Sequence, residues 1–358
     1  MPVKILPRER TTPLFTTAVL AASLLAGLVA VGIVFITKGV NPFYAISEIF
    51  LSAFGSGFGI SETITKAIPL VLIGAGLAVA YQAKFWNIGA ESQLLFGAIF
   101  ATWVGLNWAP YLPRPVAIAA MLMAGFIGGA LWGVIPALLK IRFGISEVIT
   151  TLMMNYIANE FVKFLVVGPW KGASKGGYPY TDDIADSATF HLLGYSRISL
   201  LMMIVAVAVA LLLSFVVYKS RFGYEIRVIG ENPEAARYAG IDFFGTSLLI
   251  MVISGGVAGL AGVGEIGAIH HHLSYPETIS GGLGFTAIIV AWLGRLNPAF
   301  AILSGLFFAG IIVGGDAIQI SMNLPAATVN VFNGLILTFL IMGDFFMSHR
   351  LQFTGRKS

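Results

Sequence analysis

Ile198-Ser199-Leu200-Leu201-Met202-Met203-Ile204-Val205-Ala206-Val207-Ala208-Val209-Ala210-Leu211-Leu212-Leu213-Ser214-Phe215-Val216-Val217 decides the fold. The run carries no charge, and Arg197 and Lys219 flank it. A helix of this length rises about 30 Å, the thickness of a bilayer's hydrocarbon core. Comparable apolar runs fall at 13–36, 64–83, 88–107, 115–139, 148–168, 243–264, 284–296, 299–316 and 327–346. With 198–217 that makes about ten spans. The run at 88–107 opens on Gly89, Glu91 and Gln93, and the run at 284–296 is short, bounded by Gly284 and Pro298. Broken or partly inserted helices of this kind line cavities in transporters. The reading is an all-α polytopic membrane protein of about ten transmembrane helices, some broken or short.

Composition agrees. The chain has 358 residues, 57% of them hydrophobic and 11% charged, with mean hydropathy +0.88. A soluble domain carries about 25% charged residues. There is no cysteine, so disulfides and thiolate metal sites are excluded. The net charge of +4 is read as the Lys and Arg excess of cytoplasmic loops, not as a nucleic-acid surface. With the N-terminus inside, the inner side receives Lys4, Arg8, Arg10, Lys84, Lys140, Arg142, Lys219, Arg221, Arg227, Arg237, Arg295, Arg350, Arg356 and Lys357, fourteen of the 21. Both termini are therefore expected in the cytoplasm. Residues 1–12 form a cytoplasmic tail, 13–348 the transmembrane domain and 349–358 a second cytoplasmic tail. The first apolar run is too long for a signal-peptide core and is read as a retained span. Two loops exceed turn length: an external one at 169–197 and a cytoplasmic one at 218–244.

The cytoplasmic loop holds Gly230-Glu231-Asn232-Pro233-Glu234-Ala235-Ala236-Arg237-Tyr238-Ala239-Gly240. Asn232 suits an N-cap, Pro233 the first helical position, Glu234 the positive end of the helix dipole and Gly240 a left-handed stop. The result is about two turns, too short to stand free in water. Its charges balance: Lys219, Arg221, Arg227 and Arg237 against Glu225, Glu231, Glu234 and Asp242. A neutral, charge-dense loop suits a protein interface better than an anionic lipid surface.

Inside the membrane, Thr151, Asn155, Asn159 and Lys163 recur every four residues on one helix face, with Glu160 placed to pair with Lys163. Buried amides must bond to neighbouring helices or line water. Both readings stand: interhelical bonding, or a polar wall facing an uncharged hydroxylated or amide-bearing solute. Glu91, Glu147, Glu265 and Asp316 fall near span ends and read as interfacial or capping. No carboxylate sits where ion coupling would want one. Gly125, Gly129 and Gly133, with Gly255, Gly256, Gly259, Gly262 and Gly264, read as close helix packing. Phe58 to Thr65 recurs at Phe143 to Thr150 with seven of eight positions identical. This is either an inverted-topology repeat or one good helix start used twice. His270, His271 and His272 read as a solvated external loop, not a metal site. No phosphate loop, zinc-protease helix or nucleophile elbow occurs, so no catalytic residue, metal or cofactor is assigned.

Ile229 to Ile241 resembles the cytoplasmic coupling segment of bacterial ABC-importer permeases of the ribose/simple-sugar and nucleoside branch. Ser254 to Gly262 and Gly282-Leu283-Gly284-Phe285-Thr286-Ala287-Ile288, followed by Ala291 to Pro298, are also similar. Met154 to Ala158 and Gly168-Pro169-Trp170 resemble the general nucleoside permeases. The resemblance implies a permease subunit of an importer in the bacterial plasma membrane that takes up nucleosides, or simple sugars as the alternative. It implies a separate ABC ATPase, a second permease subunit (identical or paralogous) and an extracytoplasmic binding protein or lipoprotein. Glu231, Asn232, Pro233, Glu234, Ala235, Ala236 and Arg237 would couple to the ATPase. Thr151, Asn155, Asn159 and Phe285 are the substrate-path candidates. A stand-alone secondary carrier is the rival from another class.

Overall fold

A computed structural model of the chain describes residues 3–7 and 12–353. The basic residues Arg8, Arg10, Arg356 and Lys357, used above for orientation, lie outside the described residues. Helices form at all ten apolar runs: α1 Pro13–Thr37, α3 Gly57–Gln82, α4 Ala90–Asn107, α5 Arg114–Phe143, α6 Glu147–Val167, α7 Leu200–Lys219, α10 Phe243–Gly264, α12 Leu283–Leu293, α13 Ala301–Ser321 and α14 Ala326–Ser348. Short helices stand between them: α2 Pro42–Phe54, α8 Arg221–Glu231, α9 Pro233–Tyr238 and α11 Pro276–Ile279. The protein is polytopic and helical. Six segments among the described residues are long and apolar enough to cross a membrane, and a seventh arises if α1 and α2, bent by 117°, count as one span. α4 and α6 fall short of that measure. Glu91 and Gln93 in the one, and Glu147, Asn155, Asn159, Glu160 and Lys163 in the other, dilute their hydropathy.

Two features depart from the sequence reading. The tails carry β-strands, β1 Val3–Pro7 and β2 His349–Phe353, paired antiparallel. Neither is legible in so short a segment, because the partner strand lies at the other end of the sequence. The repeated octapeptide does not share a conformation either. Phe58 to Thr65 lies wholly within α3, whereas Phe143 ends α5, Gly144 turns left-handed at φ +66 and Ser146 sits at the N-cap of α6. The shared sequence is used once as helix interior and once as a stop and restart.

The chain divides into two units, Met1–Ile60 with Gly310–Ser358, and Ser61–Ala309. In the first, α1 packs along α14, with Phe35 stacked on Phe332 at 6.2 Å. The second is built on α4, α5 and α10, which pack backbone to backbone. A Cβ on Gly129 would strike the carbonyl oxygen of Gly255, and one on Gly259 that of Gly125. The glycine stripes are thus the contact surface, as membrane packing favours. α7 keeps Leu211, Leu212 and Phe215 exposed. Apolar side chains on an outer helix face suit lipid.

Candidate functional site

The loop at 218–244 folds as a helical hairpin. The Ser220 hydroxyl accepts the Gly223 amide at 3.1 Å and starts α8. Gly223, Ile226, Ile229 and Gly230 are buried, so one face of α8 lies on the bundle. Arg227 donates to the Val217 carbonyl. Asn232 then caps α9, its Oδ1 accepting from Glu234 at 3.0 Å and Ala235 at 3.1 Å. Gly240 ends it at φ +74. Of residues 231–240 only Ala236 is buried, and Tyr238 is 94% exposed. Arg237 lies over the Phe243 ring at 5.1 Å. Ala236 anchors the turn while Glu231, Asn232, Glu234 and Arg237 present an open, charged surface.

The polar face of α6 meets the break between α3 and α4. Glu147 accepts from the Trp86 amide at 3.3 Å and from Lys140 Nζ at 2.5 Å. One turn on, Thr151 Oγ1 accepts the Ile88 amide at 3.2 Å. One further turn on, Asn155 donates to the Ile88 carbonyl at 3.0 Å and accepts from the Ser92 amide at 3.1 Å. Three consecutive rungs thus satisfy backbone groups that the break leaves without helical partners. Asn159, the next rung, has a buried Oδ1 with no partner in the described structure. Lys163 pairs with Glu160 at 3.0 Å and Glu277 at 3.5 Å.

The break itself is pinned from the other side. Asn87 and Gln93 exchange hydrogen bonds at 2.9 and 3.1 Å, and Asn87 also donates to Ser254 Oγ of α10 at 3.0 Å. Tyr81 donates to the Asn87 carbonyl at 2.9 Å, and Trp86 stacks on Trp292 at 5.7 Å. Glu91, the residue before Ser92, accepts the amides of Gly282 at 3.0 Å and Gly284 at 2.7 Å. This corrects its interfacial reading. α12 runs 11 residues from there to the Arg295 turn, so Glu91 lies about 16 Å, half the hydrocarbon thickness, from that end. Glu91 does act as a cap, but for α12 and not for its own helix.

Of the path candidates, the structure brings Thr151 and Asn155 together at the break and leaves Asn159 one turn beyond. Phe285, 41% exposed, stands in the first turn of α12. Glu91 and Ser92 connect α4 to α12 and to Asn155 respectively. Asn87, Gln93, Ser254 and Trp86 were missed in the sequence. The signal available was the run of polar side chains, Asn87, Glu91, Ser92 and Gln93, at the opening of an apolar segment.

The histidines are not a freely solvated loop. α10 continues into a wider π-helical turn, Glu265–His270, after which His271 takes a left-handed φ of +60. The loop at 169–197 straps over this end. Thr181 donates to the Leu273 carbonyl at 3.0 Å, Ile184 to the His271 carbonyl at 2.8 Å and Phe190 to the Gly267 carbonyl at 2.7 Å. His272 lies 3.2 Å from Asp183 and packs on Tyr180. Burial holds His271 and His272 below their ordinary range, and the Lys175 ammonium bonded to Asp183 holds that carboxyl low.

Comparison with known proteins gives a consistent set. The family model for the permease component of the branched-chain amino acid transport system matches residues 59–341. The glucose ABC transporter permease protein TsgB13 of Haloferax volcanii is 34% identical over 92% of this chain and 88% of its own. The guanosine ABC transporter permease protein NupP of Bacillus subtilis is 31% identical over 89% and 91%. The nucleoside ABC transporter permease protein NupB of Lactococcus lactis subsp. cremoris is 30% identical over 88% and 87%.

Proposed function

The chain belongs to the family of the branched-chain amino acid transport system permease component, and on that premise we propose that it is the membrane subunit of an ATP-binding-cassette importer of nucleosides. The observation that carries the coupling part is α9. It is a capped two-turn helix, anchored through Ala236 and the apolar face of α8, with its remaining residues open. Such a helix offers shape and charge to a partner groove. The partner is a separate ABC ATPase, which holds the nucleotide, while this chain does no covalent chemistry. A second permease subunit, identical or paralogous, and an extracytoplasmic binding protein or lipoprotein complete the complex in the bacterial plasma membrane.

Contacts within Ser61–Ala309 support the orientation. Gln82, Lys140, Glu147, Asn297 and Gly230 meet at one end of the helices. Glu62 and Arg197, Arg114 and Thr189, and Lys163 and Glu277 meet at the other. The first end is the cytoplasmic one.

Nucleosides are the solute because two relatives at 30% identity or more carry guanosine or nucleosides in their names. A nucleoside is uncharged, in keeping with a polar face of amides. Asn159, with its unpartnered Oδ1, and Phe285 are the wall residues for it. The 34% identity to a glucose permease supports a simple sugar as the second reading. Reconstitution with the ATPase and binding protein tests both. Guanosine and other nucleosides should stimulate ATP hydrolysis where glucose and ribose do not. Stimulation by sugars alone would install the second reading, and uptake by the purified chain in ATP-free liposomes would end the coupling reading.

A further inference from the structure

Gly230 of α8 lies directly on the last turn of α3. A Cβ built there would overlap the carbonyl oxygen of Gln82 and sit 3.3 Å from the Cα of Ala83. Gln82 Nε2 in turn donates to the Leu296 carbonyl at 2.6 Å. Residues 83–89, which follow, are the break that Glu147, Thr151 and Asn155 line on one side and Ser254 on the other. The break leads within two residues to Glu91, which holds the start of α12. A continuous series of contacts, backbone to backbone at Gly230 and side chain to backbone beyond it, therefore runs from the cytoplasmic hairpin to the wall of the proposed path.

Backbone strain marks the same junction. Five non-glycine residues among those described have positive φ, and three of them, Lys84 (+53), Arg295 (+52) and Leu296 (+55), sit at the two turns that the Gln82 bond joins. Such conformations cost on the order of 1–3 kcal/mol each and concentrate where a segment has more than one arrangement. The side chains of Glu147, Thr151 and Asn155 bond directly to backbone groups of residues 86–92, so a movement of α3's end reaches them through hydrogen bonds rather than through apolar packing alone.

We propose that the α3–α4 break, residues 83–89, is the transmission element of this permease. It is pushed by Gly230 through Gln82 and Ala83, and it repositions the first turns of α4 and α12 together. Gly230, Gln82, Trp86 and Asn87 are positioning residues for transport, with no contact to solute or nucleotide. The proposal rests on the reading of α9 as the ATPase-docking helix.

The test is the amount of solute imported per ATP hydrolysed by the full complex in proteoliposomes. Gly230→Ala lifts α8 from α3, and Gln82→Met removes the bond to Leu296 at nearly constant volume. Each should lower the ratio at least fivefold while co-purification with the ATPase is kept. Gln82→Met should leave basal ATP hydrolysis and melting temperature near those of the parent complex, whereas Gly230→Ala, whose Cβ meets a backbone oxygen, should also lower the melting temperature. A merely structural role would lower yield and melting temperature and leave the ratio alone. An unchanged ratio in both variants overturns the relay, and if Gly230→Ala does not assemble, Gln82→Met decides. Failure of the parent chain to co-purify with the ATPase would instead remove the docking reading, so the two failures are distinguishable.

Discussion

The Glu91 carboxylate of α4 accepts the amide protons of both Gly282 and Gly284, at 3.0 and 2.7 Å, and so caps a helix 191 residues away in sequence. The left-handed Gly282 gives α12 no capping side chain of its own, and a buried helix start must find acceptors elsewhere.

Glu91→Ala should therefore loosen α12 before anything else. Leaving those amides without acceptors costs about 1–3 kcal/mol, readable as a lower melting temperature of the complex. Hydrogen exchange should rise first at residues 282–286. Glu91→Gln should recover part of the loss, because one amide oxygen remains to accept. Equal melting temperatures for all three forms would show that the cap contributes nothing.

The two asparagines of the α6 face should separate by readout. Asn155→Leu strips partners from the Ile88 carbonyl and the Ser92 amide, each costing about 1–3 kcal/mol when buried, nearer the low end inside a membrane. Assembly and melting temperature should fall. Asn159→Leu removes a group that bonds nothing in the described structure. It should leave melting unchanged and weaken solute affinity several-fold in binding-protein-driven uptake. If the two variants behave alike, the division of that face into a structural part and a solute part is wrong.

How much of this was legible in the sequence differs by element. The cap of α9 was fully legible, because Asn, Pro, Glu and Gly each carry a local conformational preference that needs no partner to express it. The glycine stripes of α5 and α10 were legible as packing surfaces for the same reason. The four-residue period placed Thr151, Asn155 and Asn159 on one face. What faced them, a backbone break 63 residues away, is tertiary and left no local mark. Glu91 misled because a carboxylate near the start of an apolar run looks like an interface residue. Only the three-dimensional path shows that its helix starts inside the bundle. The histidine triplet misled in the opposite way, since the loop at 169–197 that covers it is itself rich in Gly and Asp.

Acid should release the strap that loop 169–197 forms over the histidines. His272 is held below its ordinary value of 6.5, chiefly by burial and then by Lys175, with Asp183 opposing. A loosened loop therefore binds protons that the packed one refuses, and packing is lost as pH falls below about 6.5. Asp183, lowered chiefly by its bond to Lys175, acts in the same direction: its contribution is present above its ordinary value of 3.8 and lost as pH falls through that range. Exchange protection at the amides of Thr181, Ile184 and Phe190, corrected for intrinsic rates, should hold above pH 7 and decline toward pH 5. His272→Gln should flatten the upper part of that profile. A profile that is flat in the parent chain would remove the histidine from the strap.

The account turns on α9 as the place where an ATPase grips this subunit, and the absence of native cysteine makes that directly measurable. A single Glu234→Cys chain carrying a short photo-crosslinker, assembled with its ATPase in proteoliposomes, should crosslink to the ATPase in high yield. The same label at Leu212 on the outer face of α7 should not. A Glu234 label that reacts with lipid, with the extracytoplasmic binding protein or with nothing at all would contradict the account.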